Sequence, residues 1–237
     1  DTEDLYRFTN KFKIESSIKI VVIGDGRVAQ GAVELLESFN IKKVAVDDYI
    51  NKKFNGPCFC QLSVTDYIRK KDKKPFKQEE YFSNPEAFQS NFDMFSDKTD
   101  ILINAAYWDP RSPRLFEEDD INENFKPKII GDISCDINGA IPCTKKASTI
   151  EKPFFDYCIK TKKIEEPFNK EDNITIMSID NLPSELPRDS SRYFGNILVD
   201  KILPLLGLEG NEIIENATIT KNGELTEKFK YLSDYII

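Results

Sequence analysis

The sequence contains no histidine, and this absence bears on metal binding and on general acid–base catalysis. Its five cysteines include no Cys-x-x-Cys pair, so without imidazole ligands we expect no zinc or other metal site. The commonest general acid and base is also missing, so any proton transfer must use another side chain, water or a different polypeptide. An odd number of dispersed cysteines is typical of reduced thiols and predicts a cytoplasmic protein.

Long apolar runs and an excess of positive charge are absent as well. No segment approaches the roughly 20 consecutive apolar residues that span a bilayer, and the acidic start at Asp1–Tyr6 is unlike a signal peptide. The formal net charge of -8 argues against a protein that binds nucleic-acid backbones. We therefore expect neither a membrane nor a nucleic acid as a partner.

Most of the information lies in the segment Ile18–Gly31. Ile20–Ile23 is a short apolar run typical of a buried parallel strand, and a helical pattern follows the glycines after it. Gly24 would allow the tight turn, Gly26 would let a pyrophosphate approach the backbone, and Ala29 would let helix and strand pack closely. Strand, glycine turn and helix together make this G-x-G-x-x-A match a predicted dinucleotide-binding loop, with the phosphates at the helix N-terminus.

Two acidic residues give a second signal. Val44–Val46 is predicted as the next strand, and Asp47 and Asp48 follow it about 20 residues after the glycines, the spacing of a ribose-binding acid. A carboxylate there accepts hydrogen bonds from the adenosine ribose and repels a 2′-phosphate, so NAD is favoured over NADP. Asp47 is the better candidate because it ends the strand directly. The alternative is that both residues belong to a solvated strand end.

Further strands and helices alternate along the rest of the chain. Phe88, Phe92 and Phe95 repeat at helical spacing after a helix start at Ser83–Glu86, and we expect them in the core. Residues 140–173 show no helical period and are interpreted as an irregular excursion. The predicted strands are Cys60–Val64, Asp100–Trp108, Lys128–Ile133 and Ile174–Ile179, and later helices are predicted at Arg188–Leu206 and Glu224–Tyr235.

This order predicts an α/β fold, a Rossmann-like doubly wound parallel sheet with flanking helices. The polar residues 1–17 are interpreted as an irregular arm left by a missing N-terminal domain. Residues 18–186 form the predicted dinucleotide-binding domain, and residues 187–237 form a C-terminal helical extension.

Ligands of such sheets bind at the carboxyl ends of the strands, which places Asn104, Ala105 and Ala106 near the cofactor. The proline-stiffened loop after them carries Arg111 and Arg114. These two arginines would either hold substrate carboxylates or fix the loop by pairing with acidic neighbours. Both alternatives stay open at the level of sequence.

Six stretches, in order along almost the whole chain, resemble the lysine–ketoglutarate reductase and saccharopine dehydrogenase (lysine-forming) family. That family is related to alanine dehydrogenase and transhydrogenase, and the likeness is greatest to the reductase portion of bifunctional aminoadipic semialdehyde synthases. The glycine loop alone is a weak signal, whereas the stretches at Asp132 and Ser178 are specific. The matching stretches are Gly24–Ala32, Leu102–Trp108 with Pro113–Phe116, Asp132–Gly139, Thr149–Phe154, Ser178–Pro187 and Ala217–Leu225.

The resemblance implies roles for individual residues. Asp136 would be the catalytic carboxyl beside nicotinamide and substrate, although an Asp before Asn138–Gly139 also suits a simple turn. The turn before Pro183 would contact the nicotinamide ribose and carboxamide, or would be a turn only. The implied coenzyme contacts are Gly24, Gly26, Arg27 and Val28 at the pyrophosphate, Asn104, Ala105, Ala106 and Tyr107 along the nicotinamide, and Ile179, Asp180, Asn181 and Leu182 in the turn.

The resemblance implies a reductive condensation. Lysine and 2-oxoglutarate form an imine, and NAD(P)H delivers hydride to give saccharopine. Enzymes of this family carry a preceding domain that supplies a lysine and a histidine as the acid–base pair. We expect that domain to be missing from this chain, which contains no histidine, and we expect the chain to bind NAD(H) without turning over alone. The implied partners are these small molecules, the missing catalytic domain and a second copy in a homodimer.

Two other functions stay open. One is an alanine-dehydrogenase-like or opine-type amino acid dehydrogenase, which keeps the fold and changes the substrate. The other is a regulatory module that binds NAD without catalysis, a reading that the missing acid–base pair favours.

Overall fold

The computed structural model describes residues 1–9, 11–14, 16–208 and 210–235. Within them, the chain divides into two units, Asp1–Glu185 and Leu186–Ile237. The strands of the first unit are β1 Lys19–Ile23, β2 Lys42–Lys43, β3 Cys58–Leu62, β4 Ile68–Lys70, β5 Phe88–Ser90, β6 Ile101–Asn104, β7 Ile129–Asp132, β8 Phe154–Cys158, β9 Lys163–Glu165 and β10 Ile174–Met177. They form an eight-stranded sheet in the order β2-β3-β1-β6-β7-β10-β8-β9 and a separate antiparallel pair, β4 with β5.

The sheet is parallel from β2 through β10, and β8 and β9 extend it in antiparallel pairings. Helices flank it, so the Rossmann-like α/β fold class is confirmed. The α-helices of this unit are α1 Thr2–Thr9, α2 Arg27–Ser38, α3 Val46–Asn51, α4 Val64–Tyr67, α5 Gln78–Ser83 and α6 Asp93–Ser96. Short 3-10 helices lie at Pro85–Ala87, Glu118–Asp120 and Leu182–Glu185.

The central strand β1 is covered on both faces. Ile20 and Val22 belong to one buried cluster with Ala29 and Val33 of α2. Residues 21 and 23 of the same strand belong to the other cluster, which also contains Tyr49 and the phenylalanines near α6. Because neighbouring residues of a strand face opposite sides, burial of both sides requires an unbroken apolar run. This explains why the sequence signal for β1 was so clear.

Two predictions near the N-terminus were wrong. The arm at residues 1–17 contains the helix α1, although Asn10 and Glu15 lie outside the described residues. The predicted strand Val44–Val46 is also misplaced, because β2 ends at Lys43 and α3 begins at Val46. Asp47 and Asp48 therefore lie in the first turn of a helix, where carboxylates suit the helix dipole, and do not end a strand.

The helix predicted from Ser83 is wrong as well. α5 ends at Ser83, Phe88 begins β5, and only a short helix follows at Asp93–Ser96. The three phenylalanines are nevertheless buried as predicted, at 1% exposure each. A strand followed by a turn of helix gave them a spacing that imitates one continuous helix.

The region 140–173, interpreted as an irregular excursion, contains β8 and β9. Its strand pairing is fixed by Asp156, a fully buried carboxylate on β8. Asp156 accepts hydrogen bonds from the hydroxyl of Thr175 at 2.7 Å and from the backbone N–H groups of Phe168 and Asn169. A polar residue in the core broke the apolar pattern, which is why the strand was missed.

The second unit begins with α7, Pro187–Ile197, which continues through a π-helical turn at Leu198–Ile202 and a 3-10 turn at Leu203–Leu205. The predicted helix at Arg188–Leu206 is thus confirmed. The remaining elements are α8 Glu212–Ala217, the hairpin strands β11 Thr220–Lys221 and β12 Glu224–Leu225, and a 3-10 helix at Glu227–Tyr235, which starts later than the helix predicted from Glu224.

None of the described residues of this second unit is buried. Its helical part instead exposes large apolar side chains. They include Leu198, Val199, Leu203 and Leu206. In the described part of the chain, no helix combines the length and apolar character needed to cross a membrane.

Candidate coenzyme site

The carboxyl ends of four neighbouring parallel strands bring the predicted site residues to one edge of the sheet. β1, β6, β7 and β10 lie side by side, so the segments after Ile23, Asn104, Asp132 and Met177 are adjacent. In doubly wound sheets, ligands bind at this edge. The glycine loop, the Asn104 segment, the Asp136 turn and the Ile179 turn are therefore part of one surface.

Gly24 is required by its backbone. Its φ is +106°, a value that side chains disfavour, and a Cβ added there would lie 3.2 Å from the backbone of Ala105 and Ala106. The N–H of Ala105 also donates to the carbonyl of Ile23 at 3.0 Å. The two alanines predicted near the cofactor thus pack against the glycine loop through their backbones.

Gly26 and the start of α2 leave room for an anion. Gly26 is the N-cap residue, and a Cβ added to it would meet no atom within 4 Å. No side chain caps this N-terminus in the described structure, and the first turn of α2 carries no acidic residue. The first-turn N–H groups and the helix dipole therefore favour a negative ligand, and the pyrophosphate contact at Gly26 stays a prediction.

Arg27 and Val28 lie in the same first turn of α2, and the Val28 side chain is 54% exposed. Ala29 is fully buried against the sheet, as the fingerprint predicts. An alanine at this position lets the helix pack close to β1.

A buried polar network that sequence reasoning missed organises the next two strand ends. Asp132 is fully buried, and its Oδ1 accepts from Asn104 Nδ2 and from Ser134 Oγ, each at 2.9 Å. Its Oδ2 accepts from Thr144 Oγ1 at 2.6 Å. Asn104 also donates to Ser134 at 3.0 Å. The Asn104 amide group therefore donates its hydrogen bonds within the protein. The segment after Asn104 is held by the buried Asp132 carboxylate, both of whose oxygens accept hydrogen bonds.

Asp136 lies in a tight, half-buried turn beyond that network. The N–H of Gly139 donates to the Asp136 carbonyl at 2.8 Å, and a Cβ on Gly139 would collide with Asp136 and touch Trp108. The turn reading of this segment is thus correct, and it is compatible with a functional carboxyl. Burial raises the pKa of Asp136 first, and the nearby Asp132 charge raises it further.

Arg111 and Arg114 both make the pairs of the loop-fixing alternative. Arg111 binds Asp109 with two nitrogens, at 3.1 and 2.7 Å. Arg114 contacts Glu117 at 2.9 Å and donates to the carbonyl of Asn138 at 3.1 Å, which links its loop to the Asp136 turn. Their role toward a substrate stays a prediction.

The turn after β10 is held in part by its own backbone. Ile179 is buried and forms a parallel bridge with Ser148, whereas Asp180 and Asn181 are exposed and Leu182 is half-buried. Close by, the thiol of Cys135 donates to the carbonyl of Ser178 at 2.9 Å and joins this turn to the end of β7. The exposed polar side chains are available to a ligand at this edge.

Asp47, Asp48 and Tyr107 are placed differently from the other predicted contacts, and their roles toward a coenzyme stay predictions. Asp47 and Asp48 follow β2, and β3 separates that strand from β1 and its glycine loop. Asp48 also pairs with Lys52 at 2.8 Å on α3. Tyr107 follows the alanines as predicted, but its side chain is 90% exposed.

The fold and this geometry agree with comparisons to known proteins. A profile of the family described as alanine dehydrogenase/PNT, C-terminal domain, matches residues 11–228. The chain belongs to this family. Its members are NAD-binding domains, so the alanine dehydrogenase/PNT C-terminal domain described here is part of an oxidoreductase family that uses nicotinamide coenzymes.

Individual relatives are larger proteins. The chain is similar to the mitochondrial alpha-aminoadipic semialdehyde synthase of Mus musculus, at 28% identity over 91% of the chain and 27% of the relative. It is 29% identical to the Arabidopsis thaliana synthase over 73% of the chain and 17% of the relative. A saccharopine dehydrogenase [NAD(+), L-lysine-forming] of Schizosaccharomyces pombe is 30% identical over 46% of the chain. The domain therefore spans about a quarter of the mouse relative's length.

Proposed function

We propose that this domain binds NAD(H) and serves as the coenzyme-binding part of an enzyme that forms or cleaves saccharopine. Its substrates are lysine and 2-oxoglutarate in one direction and saccharopine in the other. The observation that carries the proposal is the cradle at Gly24 and Gly26, where an uncapped helix N-terminus faces open space. The names of the relatives supply the reaction class.

The domain is proposed to need a catalytic partner domain. The mouse semialdehyde synthase is several times longer than this chain, and the chain contains no histidine to act as an acid–base group. The second unit exposes a helical apolar surface and buries none of its described residues, as expected of a segment that packs against further chain. In this arrangement the isolated domain binds coenzyme but does not complete the reaction. A homodimer and a cytoplasmic location remain part of the proposal.

Each group of residues has a distinct task. The backbone at Gly24 and Gly26 binds the pyrophosphate, with Arg27 beside it, and fixes the coenzyme against the sheet edge. A bound nicotinamide coenzyme supplies or accepts the hydride. Asp136, whose pKa is raised by burial, holds a proton on its carboxyl more readily than an ordinary aspartate. The hydrogen bond between Asn104 and Asp132 keeps the ends of β6 and β7 in register. The strand ends can then hold the coenzyme in one orientation toward the substrate.

A second candidate function is an alanine-dehydrogenase-like reaction, which the family's name favours. It would combine pyruvate and ammonia instead of 2-oxoglutarate and lysine. A third is a coenzyme-binding module without catalysis. The three candidate functions share the coenzyme site. They differ in which substrates, if any, the enzyme turns over.

The test combines binding and turnover. Calorimetric titration of the domain with NADH should give a saturable binding signal, and Gly26→Ala should abolish or strongly weaken it. The domain, alone and joined to any coding sequence upstream of Asp1, is then assayed for NADH oxidation with lysine plus 2-oxoglutarate and with pyruvate plus ammonia. We expect turnover with the first pair, and only in the joined protein.

Each other outcome selects a different conclusion. Absence of NADH binding would refute the proposal at its base. Saccharopine formation by the isolated domain would refute the need for a partner. Turnover with pyruvate and ammonia alone would favour the alanine dehydrogenase reaction, and binding without turnover in the joined protein would favour the regulatory module.

A further inference from the structure

The order of strands places an unexpected segment beside the glycine loop. β3, the third strand along the chain, lies directly next to β1, and β2 is displaced to the sheet edge. In a doubly wound sheet, the ribose of adenosine is read from the end of the strand beside the glycine strand, on the side away from the nicotinamide. Here that position belongs to the residues after Leu62 and not to Asp47.

Direct hydrogen bonds join the end of β3 to the glycine loop. Ile23 and Leu62 are paired in register. The N–H of Gly24 donates to the carbonyl of Leu62 at 2.9 Å, and Gln61 Nε2 donates to the carbonyl of Gly24 at 3.1 Å. The residue level with Gly24 on this side is therefore Ser63, the first residue after the strand.

Ser63 is the N-cap of the short helix α4, and Asp66 in the turn that begins there presents a carboxylate in a fixed orientation. Asp66 Oδ2 accepts from the N–H of Ser63 at 2.7 Å and from Ser63 Oγ at 2.9 Å. Ser63 Oγ also lies 2.8 Å from Thr65 Oγ1. Asp66 is half-buried, and within the described structure its Oδ1 takes no hydrogen bond. One oxygen is thus held by the turn and the other keeps its acceptor capacity.

Asp47 offers no comparable arrangement. It is exposed, it lies in the first turn of α3, and the strand before that helix, β2, does not pair with β1. Its carboxylate receives no orienting hydrogen bond from the described residues, although its backbone carbonyl accepts from Asn51.

We propose that Asp66, oriented by Ser63, binds the adenosine ribose hydroxyls and so determines the preference for NAD over NADP. The assignment rests on the proposed coenzyme binding. Asp66 Oδ1 accepts a hydrogen bond from the ribose 2′-hydroxyl, and its negative charge repels a 2′-phosphate at the same place. Ser63 is a positioning residue, because it acts through the carboxylate that it holds.

The experiment is calorimetric titration of the full chain with NADH and NADPH. Asp66→Asn should lower NADH affinity by about tenfold or more, as expected for loss of a hydrogen bond to a charged group. It should not lower NADPH affinity, so the preference for NADH falls or reverses. Asp47→Asn is the matched control and should change either affinity by less than about twofold.

A coenzyme that lacks the adenosine 2′-hydroxyl separates contact from folding. The wild-type chain should bind this deoxy form of NADH more weakly than NADH, whereas Asp66→Asn should bind the two alike. Ser63→Ala should reduce the wild-type difference only in part. Should Asp66→Asn fail to fold, Ser63→Ala and the deoxy coenzyme on the wild-type chain still decide the question.

The outcomes distinguish this assignment from coenzyme binding itself. NADH binding that is unaffected by Asp66→Asn, or that is lost with Asp47→Asn, would overturn the role of Asp66 and leave the coenzyme site intact. Equal affinity of the wild-type chain for NADH and its deoxy form would overturn it too. Absence of any binding by the wild-type chain would overturn both.

Discussion

Asn104 donates from Nδ2 to Oδ1 of Asp132 at 2.9 Å and so ties the carboxyl ends of β6 and β7 together inside the protein. The two residues pair in register on parallel strands, and the second carboxylate oxygen of Asp132 accepts from Thr144. Because the Asp132 carboxylate is fully buried, its burial would destabilise the fold if these donors did not bind it. The geometry of these two strand ends, where the nicotinamide is predicted to bind, therefore depends on a fully buried residue.

Replacement of the Asp132 carboxylate should strongly lower the stability of the folded protein. Asp132→Ala leaves the Asn104 amide and the Thr144 hydroxyl without their acceptor, and we expect a loss of about 2–4 kcal/mol in the free energy of unfolding. Urea denaturation measures this loss. The control is Asp119→Ala, whose side chain is 94% exposed in a surface pair and should change stability by less than about 0.5 kcal/mol. Equal effects of the two substitutions would contradict the structural role.

A substitution at Gly26 should weaken coenzyme binding without affecting folding. A Cβ on Gly26 meets no protein atom within 4 Å, and its backbone is extended, so Gly26→Ala should leave the melting temperature nearly unchanged. The methyl group would occupy the space of the pyrophosphate, and NADH affinity should fall by about tenfold or more, as measured by calorimetry.

Gly31→Ala is the matched control for this substitution. Gly31 lies inside α2, and an added Cβ there also meets nothing within 4 Å. It should raise stability by about 0.5–1 kcal/mol and leave NADH binding unchanged. Unaltered NADH affinity in Gly26→Ala would contradict the placement of the phosphates.

The glycine loop was predictable from sequence because its constraints are local. Gly24 needs a positive φ, Ala29 needs close packing, and β1 needs apolar residues on both faces, so each leaves a mark within a dozen positions. The helix that follows obeys the same local periodicity.

The order of the strands was not predictable in this way. β2 pairs through only two residues, Lys42 and Lys43, and whether β2 or β3 lies beside β1 depends on packing between distant segments. The misplacement of Asp47 follows from that, since the usual spacing assumes that the second strand is the neighbour. The network around Asp132 could not be predicted from sequence for a related reason. Asn104 and Asp132 are 28 positions apart, and Thr144 lies in the region without periodicity.

Asp136 should make stability depend on pH. Burial and the charge of Asp132 raise its pKa in the folded protein, so the folded state binds this proton more tightly than the unfolded state. The stabilisation is complete below the ordinary aspartate pKa and is lost as pH rises through the raised value. Above the raised pKa, the ionised carboxylate of Asp136 is therefore destabilising.

Asp136→Asn tests this sign. The variant should gain stability relative to the wild type as pH rises through the interval between the ordinary and the raised pKa, and the difference should become constant above it. Urea unfolding of both proteins across that interval gives the comparison. A difference that is the same at every pH would show that the carboxyl titrates as it does in the unfolded chain.

Trp108 offers a direct optical measurement of where nicotinamide binds. It is the single tryptophan of the chain, and its ring lies 3.2 Å from where a Cβ on Gly139 would be, against the Asp136 turn. Reduced nicotinamide absorbs light at the wavelengths that tryptophan emits. NADH bound at this edge should therefore quench Trp108 emission and show sensitised emission of its own, in proportion to occupancy.

The titration needs two controls because NADH also absorbs the exciting light. Free tryptophan amide at the same absorbance corrects for this inner-filter effect, and Gly26→Ala should lose the saturable part of the quenching. Since energy transfer falls steeply with distance, calorimetric binding of NADH without quenching would place the nicotinamide away from Trp108. In that case the Asp136 turn would have no part in the hydride step, and the strand ends of β6 and β7 would serve only to support the phosphate cradle.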